Sequence, residues 1–172
     1  LKKKFPDADI MYVEDKENLP YGNKNSEELL ELTIPLFQQF VDGKCSAVLV
    51  ACNTVTTTII NQLREQFSIP LVGVEPMIKP ASELTKTGVV AVCATSTTLR
   101  SKRYAFLNEL ELQDMTQELI NQKVDVLVLG CTHYHWIEEE LRVLMGSSCQ
   151  VIQPIEPVLN QLERVLKETT TD

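Results

Sequence analysis

Two cysteines stand where a thiol could do chemistry. Cys52 lies in the run AVLVACNT, residues 47–54, and Cys131 lies in VDVLVLGCTH, residues 124–133. Each ends an apolar, β-branched stretch, precedes Thr, Asn or His, and leads into a segment of helical pattern, residues 55–66 and 134–145. With the cysteines aligned, Leu63-Arg64 falls one residue from Leu141-Arg142. Strand, polar elbow and helix therefore recur as an internal repeat, with a thiol at the same place in both copies. A thiolate at a helix start is stabilised by the partial positive charge and free N–H groups there, which lowers its pKa. Two such thiols across a crevice can take a proton from one face of a weakly acidic carbon and deliver one to the other. The outcome is inversion at a carbon acid. Asn53, Thr54, Thr95, Thr98 and Thr132 add neutral donors and acceptors suited to a small amino acid's carboxylate and ammonium. His133 fits as an acid/base helper, or as the group that keeps Cys131 in the correct protonation state.

Each of these residues also has a plainer reading. A cysteine at the end of a buried strand is usually a small core residue. Cys45, Cys93 and Cys149 lack the elbow and read as structural, although Cys93 directly precedes the polar loop ATSTT, residues 94–98. Thr and Asn after a strand are ordinary helix N-caps, a role compatible with anion binding. Other thiol chemistries fit less well. A cysteine-phosphatase loop needs Arg six residues after the thiol, where this chain has Thr58 and Ile137. A zinc site from Cys131, His133 and His135 would need alternate residues of an elbow to point the same way. A Cys–His hydrolase needs an imidazole from elsewhere, and the chain's two histidines both adjoin Cys131. No glycine-rich phosphate loop is present.

The elements that must position these residues alternate between strand and helix. LKKKF reads as a last helical turn before Pro6, and residues 8–13 (ADIMYV) as a short buried strand. Pro20-Tyr21-Gly22 is turn chemistry. Asn25 with Glu28 predicts a capping box for a helix over 27–40, kinked at Pro35 and stopped near Gly43. Strands are expected at 47–51, 70–74, 89–93, 124–129 and 151–152. Helices are expected at 55–66, 81–86, 99–108, 115–123, 134–145 and 157–167, the last with Val158, Leu162, Val165 and Leu166 on one face. The join at 109–114 holds no turn residue. Strands apolar throughout and alternating with helices predict an α/β fold with parallel sheets covered on both faces. Ligands of such sheets bind outside the carboxyl ends of the strands, where Cys52, Cys131 and the ATSTT loop all fall.

Composition narrows the classes. With 172 residues and 44% hydrophobic content, the chain can bury a core as one domain or two small ones. A net charge of −8 argues against a nucleic-acid partner, which would need a basic stripe. No apolar run reaches the roughly 20 residues of a membrane span, and no leader pattern is visible. Five cysteines without a CxxC pair fit reduced thiols in a cytoplasmic enzyme.

These motifs together resemble the glutamate racemase branch of the aspartate/glutamate racemases. ACNT (51–54) and GCTH (130–133) look like its two catalytic motifs. PYG (20–22) and ATSTTLRSKRY (94–104) look like its substrate loops, and GVEP (73–76) like its inter-domain segment. The resemblance implies two pseudo-symmetric α/β domains, residues 1–80 with 152–172 and residues 81–151, with the site in the crevice between them. It implies cofactor-independent interconversion of L- and D-glutamate for peptidoglycan, no metal, and a homodimer. Cys52 and Cys131 would be the acid/base pair and His133 the helper of Cys131. Asn53, Thr54, Thr95, Thr98 and Thr132 would bind substrate, with Pro20, Tyr21 and Gly22 closing around it. Family members begin with an Asp-Ser-Gly strand and carry a longer segment before GCTH. The expectation is therefore a chain lacking parts of the whole protein. His135-Trp136 stands where Pro-Leu is usual. An aspartate or related amino-acid racemase, or a non-catalytic amino-acid-binding relative, are the alternatives.

Overall fold

Parallel strands form in this chain where β-branched and leucine residues run without interruption, because such strands are buried on both faces. The computed structural model describes residues 1–75, 77–94, 112–132, 134 and 137–169, excluding the side chains of 112–115. Its described elements alternate as the sequence suggests: α1 (Ser26–Asp42), β1 (Val48–Val50), α2 (Asn53–Gln66), β2 (Leu71–Gly73), α3 (Ile78–Leu84), β3 (Val90–Cys93), α4 (Leu112–Asn121), β4 (Val126–Leu129), α5 (Glu138–Met145), β5 (Gln150–Ile152) and α6 (Ile155–Thr169). They build two parallel sheets. β1 pairs with β2, Val48 opposite Leu71 and Val50 opposite Gly73. The other sheet has the order β3-β4-β5, with Val90 opposite Val126 and Val126 opposite Gln150.

Both sheets are covered on both faces. Val48 and Val50 pack with Leu29, Phe37, Ile59, Ile60 and Leu63 of α1 and α2. Val72 and Val74 meet Val158 and Leu162 of α6, the apolar face expected from its spacing. In β4, Leu127 and Leu129 face Leu119, Leu141 and Met145 of α4 and α5, while Val126 and Val128 face Ala81 of α3. The period-two alternation of a strand sends one set each way.

Local signals account for several boundaries. Asn25 accepts from the Glu27 and Glu28 N–H groups at 2.9 and 3.0 Å, and Glu28 accepts from the Asn25 N–H at 2.8 Å, completing the capping box. Helix α1 continues through Pro35. Helix α3 starts three residues earlier than the sequence suggests, at Ile78, because Pro80 sits in a first turn where no N–H is needed. Residues 8–13 are not a strand. They pair with no described strand, and Tyr12 is 78% exposed. An apolar run becomes β structure only where a neighbour takes its N–H and C=O groups.

The start of the second sheet is held by a carboxylate that the sequence does not single out. Thr85 Oγ1 donates to Asp125 Oδ1 at 2.5 Å, and the N–H groups of Lys86 and Thr87 donate to Oδ2 at 2.6 and 3.0 Å. The loop turns at Gly88, whose φ of 80° lies in the left-handed region. The Thr85 hydroxyl and then the two N–H groups lower the Asp125 pKa to about 2. A carboxylate depressed on folding contributes stability that is present above its unfolded value and lost as pH falls through its folded one. The native chain should lose stability between about pH 4 and pH 2. Asp125→Asn should flatten that part of the curve, which urea melts at stepped pH will read.

Candidate active site

The two cysteines of the repeat lie at the carboxyl ends of β1 and β4, each two residues past the last strand residue. Cys52 is the N-cap of α2, with an extended backbone, and its carbonyl accepts from the Thr56 N–H at 2.9 Å. Burial raises the Cys52 thiol above the ordinary thiol range. The N–H groups of Val55 and Thr54 and the Thr54 hydroxyl pull against that shift, and the charge of Cys131 adds to it. The expectation of a depressed pKa at a helix start is therefore overturned for Cys52. Desolvation outweighs the helix terminus.

The second elbow differs from the first. Helix α5 begins at Glu138, not at residue 134, so Cys131 does not sit at its N-terminus. The Tyr134 N–H donates to the Cys131 carbonyl at 3.0 Å and the Ile137 N–H to the Tyr134 carbonyl at 3.1 Å. Glu138, Glu139 and Glu140 fill the first turn of α5, where negative charge suits the positive end of the helix dipole.

The elbows meet. Thr132 Oγ1 donates to the Ala51 carbonyl at 3.0 Å, bridging 81 residues and joining the β4 elbow to the residue before Cys52. Beside Cys52, Asn53 and Thr54 are both 3% exposed. Among the described residues nothing hydrogen-bonds Nδ2 or Oδ1 of the Asn53 carboxamide, an arrangement that costs free energy unless a ligand supplies the partner. Tyr21 and Gly22 are buried in a short 3-10 turn, Tyr21–Asn23, that packs on α2, while Pro20 is exposed. The charge of Cys52 bears on the Tyr21 phenol, whose pKa is driven far up, first by burial and then by its bond to Asp15. Cys52, Asn53, Thr54, Tyr21, Gly22, Cys131 and Thr132 are thus gathered at one place. Thr95, Thr98 and His133 lie outside the described residues, as do His135, Trp136 and the helix expected at 99–108.

Two of the thiols outside the repeat are also shifted by burial. Burial pushes Cys93 up to about 11. Cys149 is buried and also raised, by desolvation and then by the charge of Asp125. Two contributors escaped the sequence reading, Asp15 and Asn18. Asp15 accepts from Tyr21 Oη, from the Asn18 N–H and from Asn18 Nδ2. Their Asp-x-x-Asn spacing just before a Pro-x-Gly turn was the available signal.

No protein-family profile matches the chain. It is 33% identical to the glutamate racemase of Clostridium botulinum (strain Langeland) over 97% of its own length and 77% of that protein's. The chain belongs to the glutamate racemase family. The match spans 198 residues against 172 here, so it includes positions that have no counterpart in this chain. Among solved structures, Escherichia coli glutamate racemase in complex with L-glutamate and the activator UDP-MurNAc-Ala superposes with a TM-score of 0.80 at 25% identity. That match covers 96% of this chain and 75% of the other. The glutamate racemase isoform RacE1 of Bacillus anthracis gives 0.77 at 26% identity, covering 97% and 75%. The racemase fold, parallel sheets flanked by helices in two α/β halves, is the fold of this chain.

Proposed function

We propose that this chain interconverts L- and D-glutamate by passing protons through two thiols, Cys52 and Cys131. The observation that carries the reading is the bond from the Thr132 hydroxyl to the Ala51 carbonyl at 3.0 Å, which brings the Cys131 elbow against the residue before Cys52. Like-charge repulsion between two neighbouring thiolates disfavours ionising both at once, leaving at most one thiolate beside one thiol. That is the state an inversion needs. The thiolate takes the α-hydrogen as a proton and leaves the electron pair on carbon, and the opposite thiol delivers its proton to the other face. After one turnover the two sulfurs have exchanged protonation states, and the reverse reaction restores them. No oxidant, reductant or cofactor enters the balance.

Asn53, Thr54 and Thr132, with Thr95 and Thr98, hold the amino acid's carboxylate and ammonium in this reading. Tyr21 and Gly22 close around it, and His133 assists Cys131. The buried amide of Asn53 supports the assignment, since an amino acid's carboxylate would accept from Nδ2 and its ammonium would donate to Oδ1. Asn53→Leu should then raise KM for glutamate roughly tenfold or more, the worth of a hydrogen bond to a charged group. The unliganded variant should melt no lower than the native chain, because no formed bond is lost. Titration calorimetry and thermal melts read the two effects separately.

Residues 1–80 with 152–172 form one domain in this reading and 81–151 the other. The packing of α6 on β2 supports the first grouping. Among the described residues no helix is long and apolar enough to cross a membrane. The reading carries with it a cytoplasmic homodimer that supplies D-glutamate for peptidoglycan. The experiment is a coupled assay of D-glutamate formed from L-glutamate in heavy water, without added cofactor. Inversion with solvent deuterium at the α-carbon is expected. Binding without exchange would leave a non-catalytic relative, and faster turnover of aspartate would move the specificity to the sister branch.

A further inference from the structure

The loop before the Pro20–Gly22 turn is tied to a single carboxylate. Asp15 Oδ2 accepts from Tyr21 Oη at 2.7 Å and from Asn18 Nδ2 at 3.0 Å, while Oδ1 accepts from Asn18 Nδ2 at 2.8 Å and from the Asn18 N–H at 3.2 Å. One side chain thus ties both the middle and the end of the loop. Tyr21, 8% exposed, belongs to the apolar cluster of α1, β1 and α2 against which Cys52 packs. The hydroxyl of a Tyr packed in such a cluster usually finds an acceptor, and Asp15 provides it in a part-buried bond. A charged acceptor makes this bond stronger than one between neutral groups.

We propose that Asp15 is a positioning residue, holding the Tyr21–Gly22 turn against the Cys52 elbow through its bond to the Tyr21 hydroxyl. Asp15 touches no reacting atom in this arrangement. It sets how closely the turn covers Cys52, and so how tightly the site closes on an amino acid. As far as turnover is concerned, the inference rests on the function proposed above. Its effect on access to Cys52 does not.

The test compares Asp15→Ala, Tyr21→Phe, their double variant, Asp15→Asn and Glu17→Ala. Glu17→Ala removes a carboxylate from the same loop without touching the Tyr21 bond. The first readout is the rate at which iodoacetamide alkylates Cys52 in the unliganded chain, assigned by peptide mass. Asp15→Ala and Tyr21→Phe should each speed it several-fold. The double variant should go no further than either single one, since both remove the same bond. Asp15→Asn keeps an acceptor and should fall near the native rate, and Glu17→Ala should match it. The second readout is kinetic: Asp15→Ala should raise KM for L-glutamate about tenfold with kcat nearly held. A native chain that does not racemise glutamate would count against the proposed function and leave the alkylation result to decide this inference. Unchanged alkylation in both single variants would overturn it. So would effects that multiply in the double variant, or a Glu17→Ala rate equal to that of Asp15→Ala.

Discussion

Replacing either Cys52 or Cys131 by serine is expected to lower glutamate racemisation by about 10³-fold, the scale of losing a positioned acid or base. A serine hydroxyl ionises far above a thiol and cannot serve as the base near neutral pH. The two variants should also fail differently. Each thiol serves one face of the α-carbon, so each variant keeps a thiol against one face only. In heavy water, Cys52→Ser should exchange the α-hydrogen of one enantiomer and Cys131→Ser that of the other. NMR loss of the α-proton signal, run separately on L- and D-glutamate, reads this. Racemisation at the native rate in either variant would sink the two-thiol mechanism. Exchange of both enantiomers by one variant would show that a single group reaches both faces.

The second large effect belongs to Gly73, at the end of β2. A methyl added there would lie 2.4 Å from Thr56 Cγ2, 2.8 Å from Thr56 Oγ1 and 2.6 Å from Ile60 Cδ1. The Ile60 methyl ends a side chain that can rotate. Thr56 cannot yield as easily, since a β-branched residue in a helix has few rotamers. Helix α2 must therefore shift away from the sheet. Overpacking of this kind typically costs about 1–3 kcal/mol, and Gly73→Ala should fall at the upper end, read as a lowered midpoint in urea. The shift should also reach the site. Thr56 is one turn from Cys52 and donates its N–H to the Cys52 carbonyl, so activity should fall by more than the unfolded fraction explains. Full activity in the folded fraction would show that the elbow moves independently of the helix.

Much of the fold was legible before the structure. Capping box, apolar strands and the amphipathic face of α6 are local patterns, and each describes a residue together with neighbours a few positions away. The elbows were legible too, because a parallel sheet puts its functional groups at the strand ends. The failures had one source. Residues 8–13 carry a strand's pattern without a described strand beside them. Helix α5 starts at Glu138, four residues later than the symmetry of the repeat suggests, with three glutamates in its first turn. The expected low pKa at Cys52 followed from the helix start alone and left out the desolvation that the surrounding protein imposes.

By itself the sequence determined the α/β class, the two strand-end thiols, their polar neighbours and the resemblance that led to the family. All of these depend on residue type and short spacing. Only the tertiary structure decided which groups meet across long separations. It set the Thr132 hydroxyl on the Ala51 carbonyl, wrapped residues 85–87 around Asp125, and gave Tyr21 to Asp15 over the Cys52 elbow. Electrostatics and desolvation depend on distance in space, and spacing along the chain does not encode that distance.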